Sequence, residues 1–566
     1  MLASIVTTVF LGSVIGIVTS ISVYGFISLV EFLTEILRKP LSYHEILNNF
    51  SFESFKLLLL AILVPSLVGL LVGFIRKYSS DSRWHGPPDV ILSVHSEKKP
   101  LDIKSGFLTS FSSILSISAG GSVGQYGPLV HFGATLGAEI KNLFKTKGQY
   151  QIFVGSGVAG AISSGFGAPL AGLIFAREVI LRQQSLSSFA PILVSSIVSY
   201  FFTKLFFGFE PLFSLEIGSI ESLYHLPFFI ITGLITGLVS IIYMKGLTHK
   251  RFFPDISKIN PIVQPAVAGL ICGIFSCFVP EVIGIGTETI RDLVSGKLNL
   301  EFVILLLVLK MMLTIICIRL GLIGGVFAPA LFLGACVGVI VGFCINFFSP
   351  ELNLNLLTVA SMAAFGSCVI GGPVANMMII LELTSDYQAT LASGISIVFA
   401  SIISYRLVGQ SVFDKVLANK DININHGRSN IKLSQIPVRQ VCHQNYCKLQ
   451  ENQKISEVIK ILADLQNSEG YLLNDKNVLI NKIELPILLK ERNKQAKIKK
   501  CLIRKYLKLD ENENILECIN KCKDFVGESI PVVNQNKILV GVISEGDLFQ
   551  TFLKITEEEL AKDNET

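Results

Sequence analysis

Charge is scarce over most of this chain. The 566 residues carry 48 Lys+Arg and 43 Asp+Glu, a formal +5, with 51% apolar and 16% charged residues. Up to residue 418 there are only 25 basic and 22 acidic residues, about 11%. From Asn419 onward 23 basic and 21 acidic residues fall within 148, about 30%. Soluble domains run near 25%, so the break predicts a membrane body followed by a soluble tail. The composition excludes collagen-like, disordered and disulfide-rich secreted classes. The net charge is too small to point to nucleic acid. A Walker loop, a nucleophile elbow and paired catalytic carboxylates are all absent, which argues against an enzyme.

Metal-ligand patterns are missing as well. Six of the eleven cysteines (Cys272, Cys277, Cys317, Cys336, Cys344, Cys368) lie in apolar stretches, where Cys serves as a small hydrophobe. The other five (Cys442, Cys447, Cys501, Cys518, Cys522) are in the tail. Cys518 and Cys522 are four apart on a predicted helix, but no His cluster accompanies them and zinc needs about four converging ligands. No metal is expected. Free thiols in the tail suit a reducing cytosol.

Met1–Leu33 lacks a basic start, and its apolar run exceeds the signal-peptide range of about 7–15 residues. It reads as a first membrane helix. Further spans of about 20 apolar residues are expected at Phe55–Ile75, Ser187–Phe206, Leu226–Met244, Val263–Val279, Phe302–Leu320 and Ala389–Tyr405. Between them, Phe107–Leu143, Phe153–Leu181 and Gly325–Leu383 are broken by Gly and Pro. Such irregular pieces are tolerated in a membrane where they are buried in protein or line a cavity.

An internal repeat orders these pieces. Gly124-Gln125-Tyr126-Gly127-Pro128 matches Gly325-Val326-Phe327-Ala328-Pro329 at an offset of 201, which also aligns Gly133 with Gly334 and Gly137 with Gly338. Gly167-Ala168-Pro169 matches Gly371-Gly372-Pro373 at an offset of 204, aligning Glu178 with Glu382. Paired Gly/Pro-interrupted segments in two halves point to a substrate site between repeats. A Pro just inside a helix start marks an N-terminus, where free N–H groups and the dipole favour an anion. Neither motif contains a Lys or Arg, which suits conduction, because a permeating ion must also leave. The residues by themselves therefore indicate a multi-pass anion pathway.

These segments resemble the CLC family of chloride channels and proton-coupled chloride antiporters. Gly325-Val326-Phe327-Ala328-Pro329 matches the family's Gly-x-Phe-x-Pro element, and Gly124 to Pro128 stands where Gly-Arg-Glu-Gly-Pro is usual. His85-Gly86-Pro87-Pro88 resembles its first motif with His for Ser, and Leu381 to Gln388 resembles a further stretch. The resemblance implies an all-α multi-pass membrane domain of two inverted repeats, a homodimer with one pore per subunit, and chloride as the passenger. It places the central chloride on the backbone N–H groups of Val326 and Phe327, beside Ala328. His85 and Gly86 fall at the inner mouth, Gln125 and Gly127 along the pathway, and Tyr126 at the gate position. Phe413 stands where many members have a chloride-binding tyrosine, and it can only wall the pathway.

Two departures bear on mechanism. The gating carboxylate, which also carries the proton in antiporters, is replaced by Tyr126, neutral near pH 7 with a reference pKa of about 10. The internal proton glutamate falls at Val179, next to Glu178. Loss of both predicts passive chloride movement. The rival is a proton-coupled antiporter that uses Glu178 or water. An intramembrane acid is a functional candidate by default, yet the neighbouring Arg177 and the repeat partner Glu382 suggest a structural helix-end or charge-pairing role for Glu178. Other rivals are a non-conducting scaffold or sensor and a cation transporter with a regulatory tail. His85 is read as a pH-sensitive group or a neutral donor, His131 as packing, and Lys310 as snorkelling or facing the protein interior.

In the tail, Glu528 to Val533 followed by Lys537 to Ser544 and Asp547 resembles the core of a CBS domain, with a weaker copy from Glu469 to Leu485. The expected layout is a transmembrane domain 1–418, a linker 419–436, a degenerate CBS domain 437–496 and a second CBS domain 497–560. In nucleotide-binding members, residues at the positions of Ser544 and Asp547 meet ribose, so adenine nucleotide is the one ligand considered for this small α/β tail. The basic run Lys490 to Lys505 is read as a solvated linker. The expected setting is the lipid bilayer of a bacterial inner membrane, with the tail in the cytosol.

Overall fold

In the computed structural model the chain divides into two compact units, Met1–Asp421 and Ile422–Thr566, each described by itself. The described residues are 2–38, 52–96, 100–145, 149–182, 186–208, 223–249, 259–349, 352–409, 411–420, 432–434, 436–503 and 506–564. Most of the 419–436 linker, and Arg504 and Lys505 of the basic run, lie outside them.

The body is helical. Its first half runs α1 (Leu2–Arg38), α2 (Phe52–Ile75), α3 (Pro87–His95), α4 (Ile103–Ser118), α5 (Tyr126–Phe144), α6 (Tyr150–Phe166), α7 (Pro169–Phe175) and α8 (Leu186–Phe207). The second half runs α9 (Leu226–Thr248), α10 (Gln264–Ser276), α11 (Thr287–Val294), α12 (Leu300–Arg319), α13 (Phe327–Asn346), α14 (Leu354–Ile370), α15 (Pro373–Thr384), α16 (Tyr387–Leu407) and α17 (Val412–Ala418). Among the described residues seven helical stretches are long and apolar enough to cross a membrane. The chain is a multi-pass integral membrane protein.

Six of the seven spans expected from sequence are among them, and the seventh differs. The apolar run Val263–Val279 folds as α10, only 13 residues long. At 1.5 Å per residue it falls short of a hydrocarbon core of about 30 Å. Pro280 explains the early stop, because a proline disfavours helix in the residue before it. The Gly-rich stretch after Gly325 instead supplies α13, a 20-residue helix of crossing length.

The two halves pack alike: α5 on α6 as α13 on α14, and α1 on α8 as α9 on α16. Small residues set the close approach. A side-chain carbon at Gly334 would lie 2.6 Å from the Met362 Cα, and one at Gly338 2.5 Å from the Thr358 Cα. Between the halves Gly124 and Gly325 form an antiparallel bridge. The Gly124 N–H donates to the Gly325 carbonyl at 2.8 Å, and the Gly325 N–H donates back at 2.5 Å. Lys310 is fully buried in this unit. Its ammonium donates to the carbonyls of Val282 (3.1 Å) and Gly284 (2.8 Å) and lies 5.1 Å from the Phe332 ring centre.

The second unit contains two three-stranded sheets. β1 (Lys448–Gln450) pairs parallel with β2 (Glu469–Leu473), which pairs antiparallel with β3 (Leu479–Glu484). β4 (Leu509–Asp510), β5 (Ile530–Val533) and β6 (Leu539–Ile543) repeat that order, with a register shift at the same place. Helices α18 (Ile455–Asp464) and α19 (Leu485–Lys490) accompany the first sheet, and α20 (Ile515–Lys521) and α21 (Glu545–Asn564) the second. The two modules exchange their leading segments. Val438 packs in the core of the second sheet, whereas Ile498 and Cys501 pack in that of the first.

Candidate anion pathway

A cavity of about 220 Å³ in the body is lined by the starts of four helices: Gly86 and Pro87 of α3, Tyr126 and Gly127 of α5, Val326 and Phe327 of α13, and Val412 and Phe413 of α17. Proline at the first positions of α3 and within the first turns of α5 and α13 fixes where these helices begin. The positive dipole ends of these helices therefore border a common space. The Gly124–Gly325 bridge holds the α5 and α13 starts together. A side-chain carbon at Gly325 would sit 2.6 Å from the Gly127 nitrogen, so only glycine permits this approach.

Tyr126 is buried and stacks on Phe166, with ring centres 3.5 Å apart and planes 13° from parallel. Phe327 meets both rings edge-on, at 6.2 Å from Tyr126 and 5.7 Å from Phe166. Phe166 was not singled out in the sequence. Its only signal was its place between Gly165 and Gly167, just ahead of the α7 start.

At the other side of the cavity stand charged groups that sequence reasoning also passed over. Arg83 pairs with Asp89 at 2.8 Å, and Lys420 lies 3.7 Å from the same carboxylate oxygen. The second Asp89 oxygen accepts from the Gly86 N–H at 3.0 Å. Asp89 is the only acid among the described lining residues. His85 also lines the cavity; its Nε2 lies 3.4 Å from the Ser80 carbonyl, and its ring sits edge-on to that of His131, centres 6.0 Å apart.

Seven of the residues expected along the pathway line this cavity: His85, Gly86, Tyr126, Gly127, Val326, Phe327 and Phe413. Gln125 instead precedes α5, where its side chain meets the Tyr126 hydroxyl. Ala328 is buried in the α13 first turn, where its side chain would crowd any carbon added at Gly124. Val179 is fully buried in the wide turn Ala176–Leu181 that follows α7. Glu178, beside it, accepts from the Val374 and Ala375 N–H groups at the start of α15.

In the second unit the Ser544 hydroxyl donates to Asp547 at 2.7 Å, and the Asp547 N–H donates back to that hydroxyl at 3.1 Å, which caps α21. His443 lies 3.4 Å from the same carboxylate. Burial pushes the Cys518 thiol up to about 12. Among the described residues no group of His, Cys, Asp and Glu is arranged to hold a metal.

Comparison with known proteins agrees with this geometry. The family model described as voltage gated chloride channel matches residues 67–405, more than half of the chain, and the CBS domain model matches 498–554. The voltage-gated ClC-type chloride channel ClcB of Escherichia coli O17:K52:H18 is 26% identical over 362 residues, covering 62% of this chain and 85% of ClcB. The protein of the same name from Shigella flexneri matches to the same extent. Among solved structures, a slow cyanobacterial Cl⁻/H⁺ antiporter aligns with TM-score 0.66 at 22% identity, over 73% of this chain and 97% of its own. A eukaryotic CLC transporter aligns with TM-score 0.65 at 17% identity over 97% of this chain and 99% of its own, so its fold extends through the tail. The chain therefore belongs to the voltage-gated chloride channel (CLC) family and carries a C-terminal CBS domain.

Proposed function

We propose that this protein moves chloride across the membrane passively, without exchanging protons. The observation that carries the reading is the convergence of four helix starts on one cavity in which the only lining acid among the described residues, Asp89, is tied to Arg83 and Lys420. A proton-exchanging pathway needs a free carboxylate that competes with the anion. Position 126 supplies a phenol, position 179 an aliphatic side chain, and the Glu178 carboxylate is engaged at a helix end. Tyr126 acts as a neutral gate, closed while its ring lies on Phe166 and open when it swings aside. The N–H groups of Val326 and Phe327 hold the ion at the α13 start, and Phe413 walls the path.

The working unit in this reading is a homodimer in a bacterial inner membrane with its tail in the cytosol. The tail pair serves regulation. Adenine nucleotide at Ser544 and Asp547 is its candidate ligand, since both side chains sit half-buried at the start of α21.

The test is chloride efflux from liposomes containing the purified protein, with proton movement followed by a pH electrode. Efflux without uphill proton flux is expected. Proton pumping driven by chloride would overturn the passive reading and return attention to Glu178, and absence of any flux would favour the scaffold alternative.

A further inference from the structure

His131 is the least satisfied polar side chain beside the pathway. It sits one turn into α5, is 0% exposed, and neither ring nitrogen has a protein hydrogen-bond partner among the described residues. A buried polar atom left unpaired is destabilising, and an imidazole presents two. Packing alone would be served better by a leucine or phenylalanine. The one polar ring against it belongs to His85, edge-on at 6.0 Å, and His85 lines the anion cavity. His131 is thus one ring removed from the pathway.

We propose that His131 is an internal protonation site that takes up a proton together with a halide held at the His85 mouth. The inference rests on the anion-pathway reading and adds a second ligand, the proton, to that site. An unperturbed imidazole changes charge between about pH 5 and 8. A lone charge buried this deeply is costly unless paired. The charged or titratable groups acting on His131 among the described residues are Arg83, His85 and Asp89, from α3 and the turn before it, and Asp102, from the cap of α4.

Both carboxylates are already committed. Asp89 is held by Arg83, Lys420 and the Gly86 N–H. Asp102 accepts from the hydroxyls of Ser80 and Ser105 and from the Ser105 N–H. The remaining counter-charge is the mobile anion. Binding of proton and halide is then reciprocal: acid tightens the halide, and the halide draws in the proton. This is a binding linkage and not exchange, since the proton stays on the buried ring.

The experiment is calorimetric titration of chloride into the full-length protein at about pH 5.5 and about pH 7.5, each in two buffers of different ionisation enthalpy. The native protein is expected to take up protons as chloride binds, and to bind chloride at least about fivefold more tightly in acid. In His131→Gln and His131→Phe both the proton uptake and the pH dependence are expected to vanish; the Phe variant fills an apolar site, so one variant decides if the other misfolds. Linkage that persists in these variants overturns the proposal. So does linkage that is lost in His85→Ser but kept in His131→Gln, because the proton would then reside on His85. Chloride binding without proton uptake in the native protein overturns this inference and leaves the proposed function standing. No chloride binding at either pH overturns both.

Discussion

Glu178 caps the helix that begins at Pro373, and Glu382 caps the helix that begins at Pro169. The Glu178 oxygens accept from the N–H groups of Val374 at 3.1 Å and Ala375 at 2.7 Å. The Glu382 oxygens accept from Leu170 and Ala171, both at 2.8 Å. Each carboxylate thus neutralises the positive end of the repeat-related helix in the other half. Together with the Gly124–Gly325 bridge, this reciprocity ties the two halves about a local twofold axis. It also gives Glu178 work other than carrying protons.

Removing either cap should therefore cost stability to a similar extent. Glu178→Ala and Glu382→Ala are each expected to destabilise by roughly 1–2 kcal/mol, since charge-assisted caps on half-exposed helix starts are lost. The corresponding Gln variants should lose less. Thermal unfolding of the detergent-solubilised protein checks this. A large effect from Glu382→Ala with none from Glu178→Ala would break the symmetry argument.

Tyr126 rests on Phe166, and a stacked aromatic pair contributes about 0.5–1.5 kcal/mol beyond burial. Phe166→Leu should loosen the gate and raise chloride efflux roughly 2–10-fold, and Tyr126→Ala should raise it at least as much. Tyr126→Phe keeps the stack and should stay near the native rate. Equal rates in all three variants would show that this ring does not gate.

The glycine bridge admits no side chain. Gly325→Ala would bring a carbon to 2.6 Å from the Gly127 nitrogen, and Gly124→Ala to 2.9 Å from the Ala328 Cβ. Backbone cannot yield as a flexible side chain does, so Gly325→Ala should cost more, about 1–3 kcal/mol, and should weaken chloride binding as the α5 and α13 starts move apart. Calorimetric chloride titration of both variants measures the difference.

In the tail, Lys482 and Glu469 form a buried ion pair at 2.8 Å, with Lys482 also donating to the Ser529 carbonyl and Glu469 accepting from the Ser529 N–H. Lys482→Met leaves the carboxylate buried and unpaired, a loss of about 3–5 kcal/mol. Adding Glu469→Gln should recover part of it. Hydrogen exchange across β2 and β3 of the full-length protein reports both.

Much of this was legible in the sequence because the repeat is written into it. The offsets of 201 and 204 residues reappear as the Gly124–Gly325 bridge and the Glu178–Glu382 reciprocity. Proline placement announced the starts of α3, α5, α7, α13 and α15. What could not be read were contacts that depend on how distant helices meet. Phe166 lies 40 residues from Tyr126, with no periodic pattern joining them. The link from Asp89 to Arg83 and Lys420 joins residues that look like isolated surface charges in the sequence. The exchange of Val438 and Ile498 between the tail modules is likewise invisible in a linear domain map. The length of α10 was misjudged because the apolar run continues through Val279, three residues beyond the last helical residue, Ser276.

The central claim is that chloride moves without protons, and the reversal potential in a planar bilayer tests it most directly. With equal chloride on both sides and a tenfold proton gradient, an uncoupled pathway passes no current at zero voltage. The account predicts a reversal potential that stays at zero. A shift that follows the proton gradient would contradict it.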